Sequence, residues 1–267
     1  MASPSLRRDR VVRLAFLLAF AAGFVAVPVC GQSVQAASAE HRKPVLVELF
    51  TSEGCSDCPP ADDLLARLDA TQFVPEAQAI VLSEHVTYWN HGGWNDPFSM
   101  QSFDERQQAY VYRFRLQGSY TPQVVVDGAA QLVGNDPGAL TQAVTSAASA
   151  PKQPLAIADA SWEGTSVRFA VHGTADPGAR LEAALAEDAT RSEVSRGENA
   201  GRTLHHVAVV RVLKEFGTNA MDGRPLEVGG ADFSKGASAT TPVRLVVFLA
   251  SRKTGRVEAV AEQTLTR

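Results

Sequence analysis

The sequence predicts an α/β domain with a mixed central sheet flanked by helices over about residues 42–150. A smaller antiparallel β-sandwich is expected to follow over about 151–267. Three observations predict this. Residues 44–70 read as a buried strand, a tight turn carrying two cysteines, and a helix. Strand and helix patterns then alternate as far as Ala148. Beyond Pro151 the strand-like segments follow one another with no convincing helix between them.

The chain starts with a segment of another kind. Arg7, Arg8, Arg10 and Arg13 precede an apolar stretch from Leu14 to Val29, and Ala37-Ser38-Ala39 supplies small residues of the A-x-A type. This is the pattern of a secretory signal peptide, residues 1–39, cleaved after Ala39. The Arg7-Arg8 pair also permits twin-arginine export. An uncleaved anchor fits less well, because the stretch is short for a bilayer and holds Gly23 and Pro28. A lipidated Cys30 would follow an unsuitable Val29. Export changes the arithmetic. Cleavage removes four Arg and one Asp, so the formal charge moves from −4 to −7. An acidic chain without a basic stripe excludes nucleic acid as a partner, and its low aromatic content speaks against a membrane role for the mature protein. Cys30 leaves with the signal, so Cys55 and Cys58 have only each other, as a disulfide or as a dithiol.

Pro44 to Phe50 is a nearly unbroken apolar run, expected of a strand covered on both faces. Thr51 to Gly54 is a polar turn, and Cys55-Ser56-Asp57-Cys58-Pro59-Pro60 follows. From Ala61 the period changes, with Ala61, Leu64, Leu65 and Leu68 on one side of a helix and Asp62, Asp63, Arg67 and Asp69 on the other. A cysteine at a helix start has its thiolate stabilised by unpaired backbone N–H groups. Cys55 is therefore the expected nucleophile, and Cys58 the resolving thiol that closes an intramolecular disulfide. Two features temper this. Pro59 and Pro60 bias the residues before them away from helical angles, which allows a helix start as late as Pro60. Asp57, Glu53 and Asp62 disfavour the thiolate and push the pair away from a strongly oxidising character.

A second strand is centred on Ala79 to Leu82. It runs into a stretch from His85 to Phe98 that is rich in histidine and aromatic residues. A helix follows, with Ser102 and Glu105 as a capping box, Phe103, Tyr110 and Phe114 on one face, Arg113 and Arg115 in the last turn, and Gly118 as its stop. Tyr120 to Gly128 is a strand entered through Thr121-Pro122, and Asp127-Gly128 is a two-residue hairpin signal leading to Ala129–Val133. A helix from about Pro137 to Ala148 completes the first domain. Ligands of open α/β sheets gather at the carboxyl ends of parallel strands, so His85, Tyr88, Trp89, His91 and Trp94 are expected to form a wall over Cys55; the competing reading is a surface loop with its own small core.

In the C-terminal region, Leu155–Trp162 and Thr165–His172 flank Glu163-Gly164 as a hairpin, and Asp176-Pro177-Gly178 marks a turn before Arg180–Ala186. Arg202–Leu213, Val243–Ser251 and Val257–Leu265 complete the strands. His205 and His206 are adjacent and point to opposite faces, so each is expected to be a solvated or core histidine. Nothing here reads as catalytic, and the region is expected to dock or present substrate.

Val47 to Asp62, the His85–Phe98 stretch and Tyr120-Thr121-Pro122-Gln123 resemble the secreted thioredoxin-like proteins grouped as domain-of-unknown-function family 1223. The resemblance implies a thioredoxin-like first domain. It implies that Pro122 is a cis-proline packed against the cysteine pair, with the Thr121 backbone free to pair with an extended substrate. It also implies that Glu48 acts as the buried carboxylate taking the resolving cysteine's proton, although Glu48 lies one residue further from the first cysteine than the usual thioredoxin acid.

The function these readings lead to is thiol–disulfide exchange in an exported protein. It acts on a protein or small-molecule thiol or disulfide, needs no cofactor beyond the redox-active Cys55–Cys58 disulfide, and is compatible with an electron donor embedded in the membrane. Two alternatives fit the same residues. One is a periplasmic copper- or zinc-binding protein or metallochaperone using both thiolates and His85 or His91. The other is an interaction module with a permanent disulfide.

Overall fold

The computed structural model describes residues 42–230, 233 and 241–266. The expected export segment, residues 1–39, lies outside the described residues. Eleven strands and three α-helices follow in the order β1 (Lys43–Thr51), α1 (Pro59–Thr71), β2 (Ala77–His85), α2 (Gln101–Phe114), β3 (Gln123–Val126), β4 (Ala130–Val133), α3 (Pro137–Ala148), β5 (Leu155–Glu163), β6 (Ser166–Gly173), β7 (Ala179–Glu193), β8 (Thr203–Phe216), β9 (Leu226–Gly229), β10 (Val243–Ser251) and β11 (Val257–Leu265), counted among the described residues.

The protein is a mixed α/β structure with one large sheet and one small one. The large sheet has eight strands in the order β11-β10-β7-β8-β2-β1-β3-β4, and the small antiparallel sheet has the order β5-β6-β9. β1 pairs parallel with β2 and antiparallel with β3, which turns back into β4. That hairpin has Asp127 and Gly128 both at positive φ (49° and 57°), as an Asp-Gly turn between twisted strands requires. Glycine is needed at 128 for a second reason: a Cβ there would lie 2.0 Å from the carbonyl oxygen of Gly255. The Val257 N–H donates to the Asp127 carbonyl (2.8 Å), so the far edge of the curled sheet returns to this hairpin.

The two expected domains are joined more closely than two consecutive units would be. β8 lies beside β2, with Ser83 opposite Val209 in parallel register, and the Ser83 hydroxyl donates to the Val207 carbonyl (2.7 Å). The C-terminal strands do form a two-sheet packing, but its larger sheet is the continuation of the sheet that carries the cysteines. The physical reason is in the side chains. Leu181, Ala183 and Leu185 of β7 and Leu245, Val247 and Leu249 of β10 pack with Val167, Phe169 and Val171 of the small sheet. Ala184, Ala186, Val246, Phe248 and Ala250 pack on the opposite face with Val45, Val47 and Leu65. Both faces of β7 and β10 are buried, whereas a free-standing sandwich leaves the outer face of each sheet polar.

Two helix boundaries also differ from expectation. α2 begins at Gln101 after an extended Met100 and has no side-chain cap. The first-turn Asp104 instead accepts from the Thr87 backbone N–H (2.7 Å), tying the preceding loop to the helix. Its stop is Arg115, in a left-handed conformation (φ 55°), rather than Gly118.

Candidate functional site: a buried cysteine pair

Cys55 and Cys58 are joined by a disulfide, with Cα atoms 5.5 Å apart. The turn is closed by the Cys55 N–H donating to Ser52 O (3.1 Å) and the Cys58 N–H to Cys55 O (3.3 Å). Cys58 is the N-cap of α1, with Pro59 and Pro60 in its first turn, where the missing N–H groups would have had no helical partner. Both cysteines are covered, Cys55 with 1% and Cys58 with 0% of its surface accessible, while Ser56 and Asp57 between them are exposed.

Pro122 is brought to the same place. The Thr121–Pro122 bond is cis. Pro122, Leu49 and Ala61 converge around Gly134, each 3.1 Å from where a Cβ on that glycine would stand, so Pro122 lies next to the first turn of the cysteine helix. Trp89 reaches across from the loop after β2. Its Nε1–H donates to the Thr121 hydroxyl (2.7 Å), and its Cβ and carbonyl oxygen close on Gly54, where an added Cβ would meet them at 3.0 and 3.1 Å. Thr121, Trp89 and Gly54 therefore form one continuous edge leading to Cys55. Tyr88 donates to Gln107 (3.1 Å), and burial pushes its phenol up to about 12.

The rest of the expected wall divides. Trp94 donates to the Glu53 carboxylate (2.8 Å). His91 is exposed in a one-turn 3-10 helix, Asn90–Gly92. His85 is a correction: its buried ring packs against Phe98 and His206 and is engaged by Asp96. Its Nδ1 faces Asp96 Oδ2 at 2.7 Å, and Asp96 also accepts from the Glu53 N–H (2.8 Å). Burial works against the Asp96 charge, but His85 and the backbone donors hold its carboxyl below the usual range.

Glu48 is a second correction. It is fully buried, but its carboxylate is taken by Arg106 (2.6 Å) and by the Tyr110 hydroxyl (2.7 Å), on the α2 side of β1. The neighbouring Leu49 is the residue that meets the cysteine helix at Ala61. Because side chains alternate along a strand, the extra residue between Glu48 and Cys55 turns the acid to the other face. There Arg106 also pairs with Glu182 of β7 (2.7 Å) and lies 3.4 Å from Glu84. Burial raises the Glu84 carboxyl well above its ordinary value, with Arg106 opposing and Glu48 and Glu182 adding to the rise.

Several residues that the local sequence pattern does not mark lie around the cysteine turn. His206 of β8 lies with Nε2 3.2 Å from Glu53 Oε1 and Nδ1 3.7 Å from Asp62 Oδ2, its ring edge-on to His85 at 4.7 Å between centroids. Asn199, fully buried in the β7–β8 turn, donates from Nδ2 to the carbonyls of Glu53 and Cys55 (both 2.9 Å). Glu198 accepts from the Ser56 N–H (3.0 Å). The sequence carried a partial signal: His205 and His206 do take opposite faces, His205 exposed and His206 buried. That β8 would run beside the cysteine turn was not readable locally, because the contacts span more than 140 residues. Among the described residues no group of three or more His, Cys, Asp or Glu side chains is arranged to hold a metal ion, and no helix is long and apolar enough to cross a membrane.

Fold and site together define a mixed α/β protein whose paired cysteines start a helix beneath a polar cluster donated by its C-terminal half. The chain belongs to the family described as "Protein of unknown function (DUF1223)", which it matches over residues 46–249. It is also similar to the crystal structure of protein AGR_C_4864 from Agrobacterium tumefaciens, a structural genomics target. The two are 23% identical with a TM-score of 0.59, over 84% of this chain and 95% of the other, a likeness of fold. No curated protein matches the chain.

Proposed function

We propose that this is an exported thiol–disulfide oxidoreductase built on a thioredoxin-like first half. The observation that carries the reading is the Cys55–Cys58 disulfide at the N-cap of α1, beside Pro122 and the Trp89–Thr121 edge. A disulfide closing so short a loop removes little chain entropy from the unfolded state, so stabilisation alone is a weak reason for it. The strand order β2-β1-β3-β4, with β1 and β2 parallel and β3 and β4 antiparallel to their neighbours, supports the thioredoxin-like reading. Arg7, Arg8, the apolar run 14–29 and Ala37-Ser38-Ala39 support export.

In the direction that reduces the protein, a substrate thiolate attacks Cys55 Sγ and the Sγ–Sγ bond breaks. Cys58 leaves as a thiolate and takes up a proton. A second substrate thiolate then attacks the substrate sulfur of the mixed disulfide, releasing the Cys55 thiolate and an oxidised substrate, so two electrons have entered the pair. The reverse sequence oxidises a dithiol.

The reduction potential of the pair, measured on metal-free protein in dithiothreitol or glutathione buffers, tests the reading. A value between about −120 and −270 mV belongs to an exchange catalyst, and one below about −300 mV to a structural disulfide. Cys55→Ser is expected to abolish exchange, and full activity in that variant would remove the mechanism. The second reading, an interaction module with a permanent disulfide, is favoured by one observation, the burial of both cysteines. The same potential separates the two.

A further inference from the structure

His206 comes from the C-terminal half of the chain, yet it touches a residue on each side of the C-x-x-C turn. Glu53 lies two residues before Cys55, and Asp62 lies four residues after Cys58, one helical turn away, with its N–H bonded to the Cys58 carbonyl (3.1 Å). All three side chains are buried, at 0%, 4% and 4% accessible for Glu53, Asp62 and His206. The Asp62 carboxylate oxygens have no hydrogen-bond partner. Asp62 also lines a cavity of about 330 Å³ with Pro59, Asp63, Arg202 and His205, while its carboxylate oxygens and His206 Nδ1 stay shut off from solvent.

We infer that His206 is a positioning residue for the cysteine pair, a buried cation that bridges Glu53 and Asp62 and offsets the negative charge a thiolate adds between them. This rests on the exchange reading. Two carboxylates flanking a dithiol oppose ionisation of either thiol, and a cation between them cancels part of that opposition. The other groups facing His206 are consistent with a charged ring. His85 on β2 presents its ring edge-on, with its Nδ1 engaged by Asp96, and Phe98 packs against both histidines. Of the cations nearby, Arg211 lies over Phe98 and pairs with Glu187 (2.7 Å), and Arg202 lines the Asp62 cavity and donates to Asn199 (3.1 Å). Burial works against the imidazolium, but Asp62 and Glu53 outweigh it and raise His206 to about 10, so it holds its proton through the neutral range.

When the disulfide is reduced by dithiothreitol, two electrons enter, the Sγ–Sγ bond breaks, and Cys58 and then Cys55 are released as thiolates that draw protons from solvent. His206 keeps its own proton throughout and acts only through its charge and its hold on Glu53 and Asp62.

The test compares wild type, His206→Gln and Asp62→Asn in full-length protein. Two quantities are read: the redox equilibrium with dithiothreitol, and the pH midpoint of the Cys55 thiolate by ultraviolet absorbance of the reduced protein. His206→Gln removes the cation and is expected to shift the equilibrium toward the disulfide about tenfold, about 30 mV more negative, and to raise the thiolate midpoint. Asp62→Asn removes an anion and is expected to shift both in the opposite direction. Asp62→Asn also keeps the inference testable should His206→Gln fail to fold. Shifts of the same sign, or values within twofold of wild type while thermal stability falls, would overturn the inference and leave His206 a structural residue. The wild-type potential judges the exchange reading separately, since the inference concerns only the differences between variants.

Discussion

Protonation of His206 links this one side chain to the stability of the whole protein. Its pKa stands at about 10 in the folded chain against about 6.5 for an unperturbed histidine, so between those values the folded state binds more protons than the unfolded one. The stability it contributes is therefore complete below about pH 6.5 and is lost as the pH rises through 10. Urea midpoints measured from pH 7 to pH 10 should fall for the wild type and fall less steeply for His206→Gln; parallel profiles would show that His206 carries no such charge. Not all of this was legible in the sequence. Alternation along a strand separates His205 from His206, but the two acids that make His206 cationic belong to the β1–α1 turn and to α1, more than 140 residues earlier. Glu48 shows the same limit from the other side. Its burial was expected, but its direction follows from strand parity and from Arg106, and that direction takes it away from the cysteines.

The turn between β7 and β8 packs against the cysteine turn. Asn199 holds it by donating two hydrogen bonds and Glu198 by accepting one. Gly197, at φ 78°, fits against Trp94 and the Gly92 carbonyl, with 3.2 and 3.3 Å to the place of a Cβ. Attack on a disulfide needs a clear approach to sulfur, and with both cysteines buried, opening of this turn is expected to provide it. Losing two buried hydrogen bonds costs about 1–3 kcal/mol. Asn199→Ala should accordingly speed reduction of the disulfide by a small water-soluble phosphine about tenfold, with little change in the reduction potential. An unchanged rate would mean that access lies elsewhere. The elements beneath the turn were readable because their periods are local: the apolar run of β1, the 3.6-residue stripe of α1 and the Asp-Gly hairpin. The start of α2 was not. Ser102 and Glu105 have the spacing of a capping box, but tertiary contacts through Asp104 set where the helix begins.

Across the whole molecule, Arg106 binds the two halves together. One guanidinium on α2 meets Glu48 on β1, Glu84 on β2 and Glu182 on β7, and lies over the Phe248 ring of β10 at 5.5 Å. Arg106→Leu would leave Glu48 and Glu84 buried without their cation, while Glu182 keeps Arg180 (2.5 Å), at a cost of about 3–5 kcal/mol near pH 7. The loss should shrink as the pH is lowered from 7 to 4, because burial already raises the Glu84 carboxyl well above its ordinary value; a constant loss across that range would point to packing alone. The same integration explains the apolar sequence of β10, Val243 to Ala250, broken only by Arg244, which pairs with Asp69 on α1 (2.6 Å). That run signals a strand covered on both faces.

Composition and local pattern determined the α/β first half, its cysteine turn, the hairpin and the later strands, because helix and strand periods are written within a dozen residues and respond to burial directly. Tertiary structure alone decided that one eight-stranded sheet joins both halves, that Glu48 faces away from the cysteines, that Asn199 bonds the Cys55 carbonyl and that His206 meets Glu53 and Asp62. Those outcomes depend on strand register across the β2–β8 seam and on the match of buried charges between distant segments. Neither quantity exists until the chain has folded.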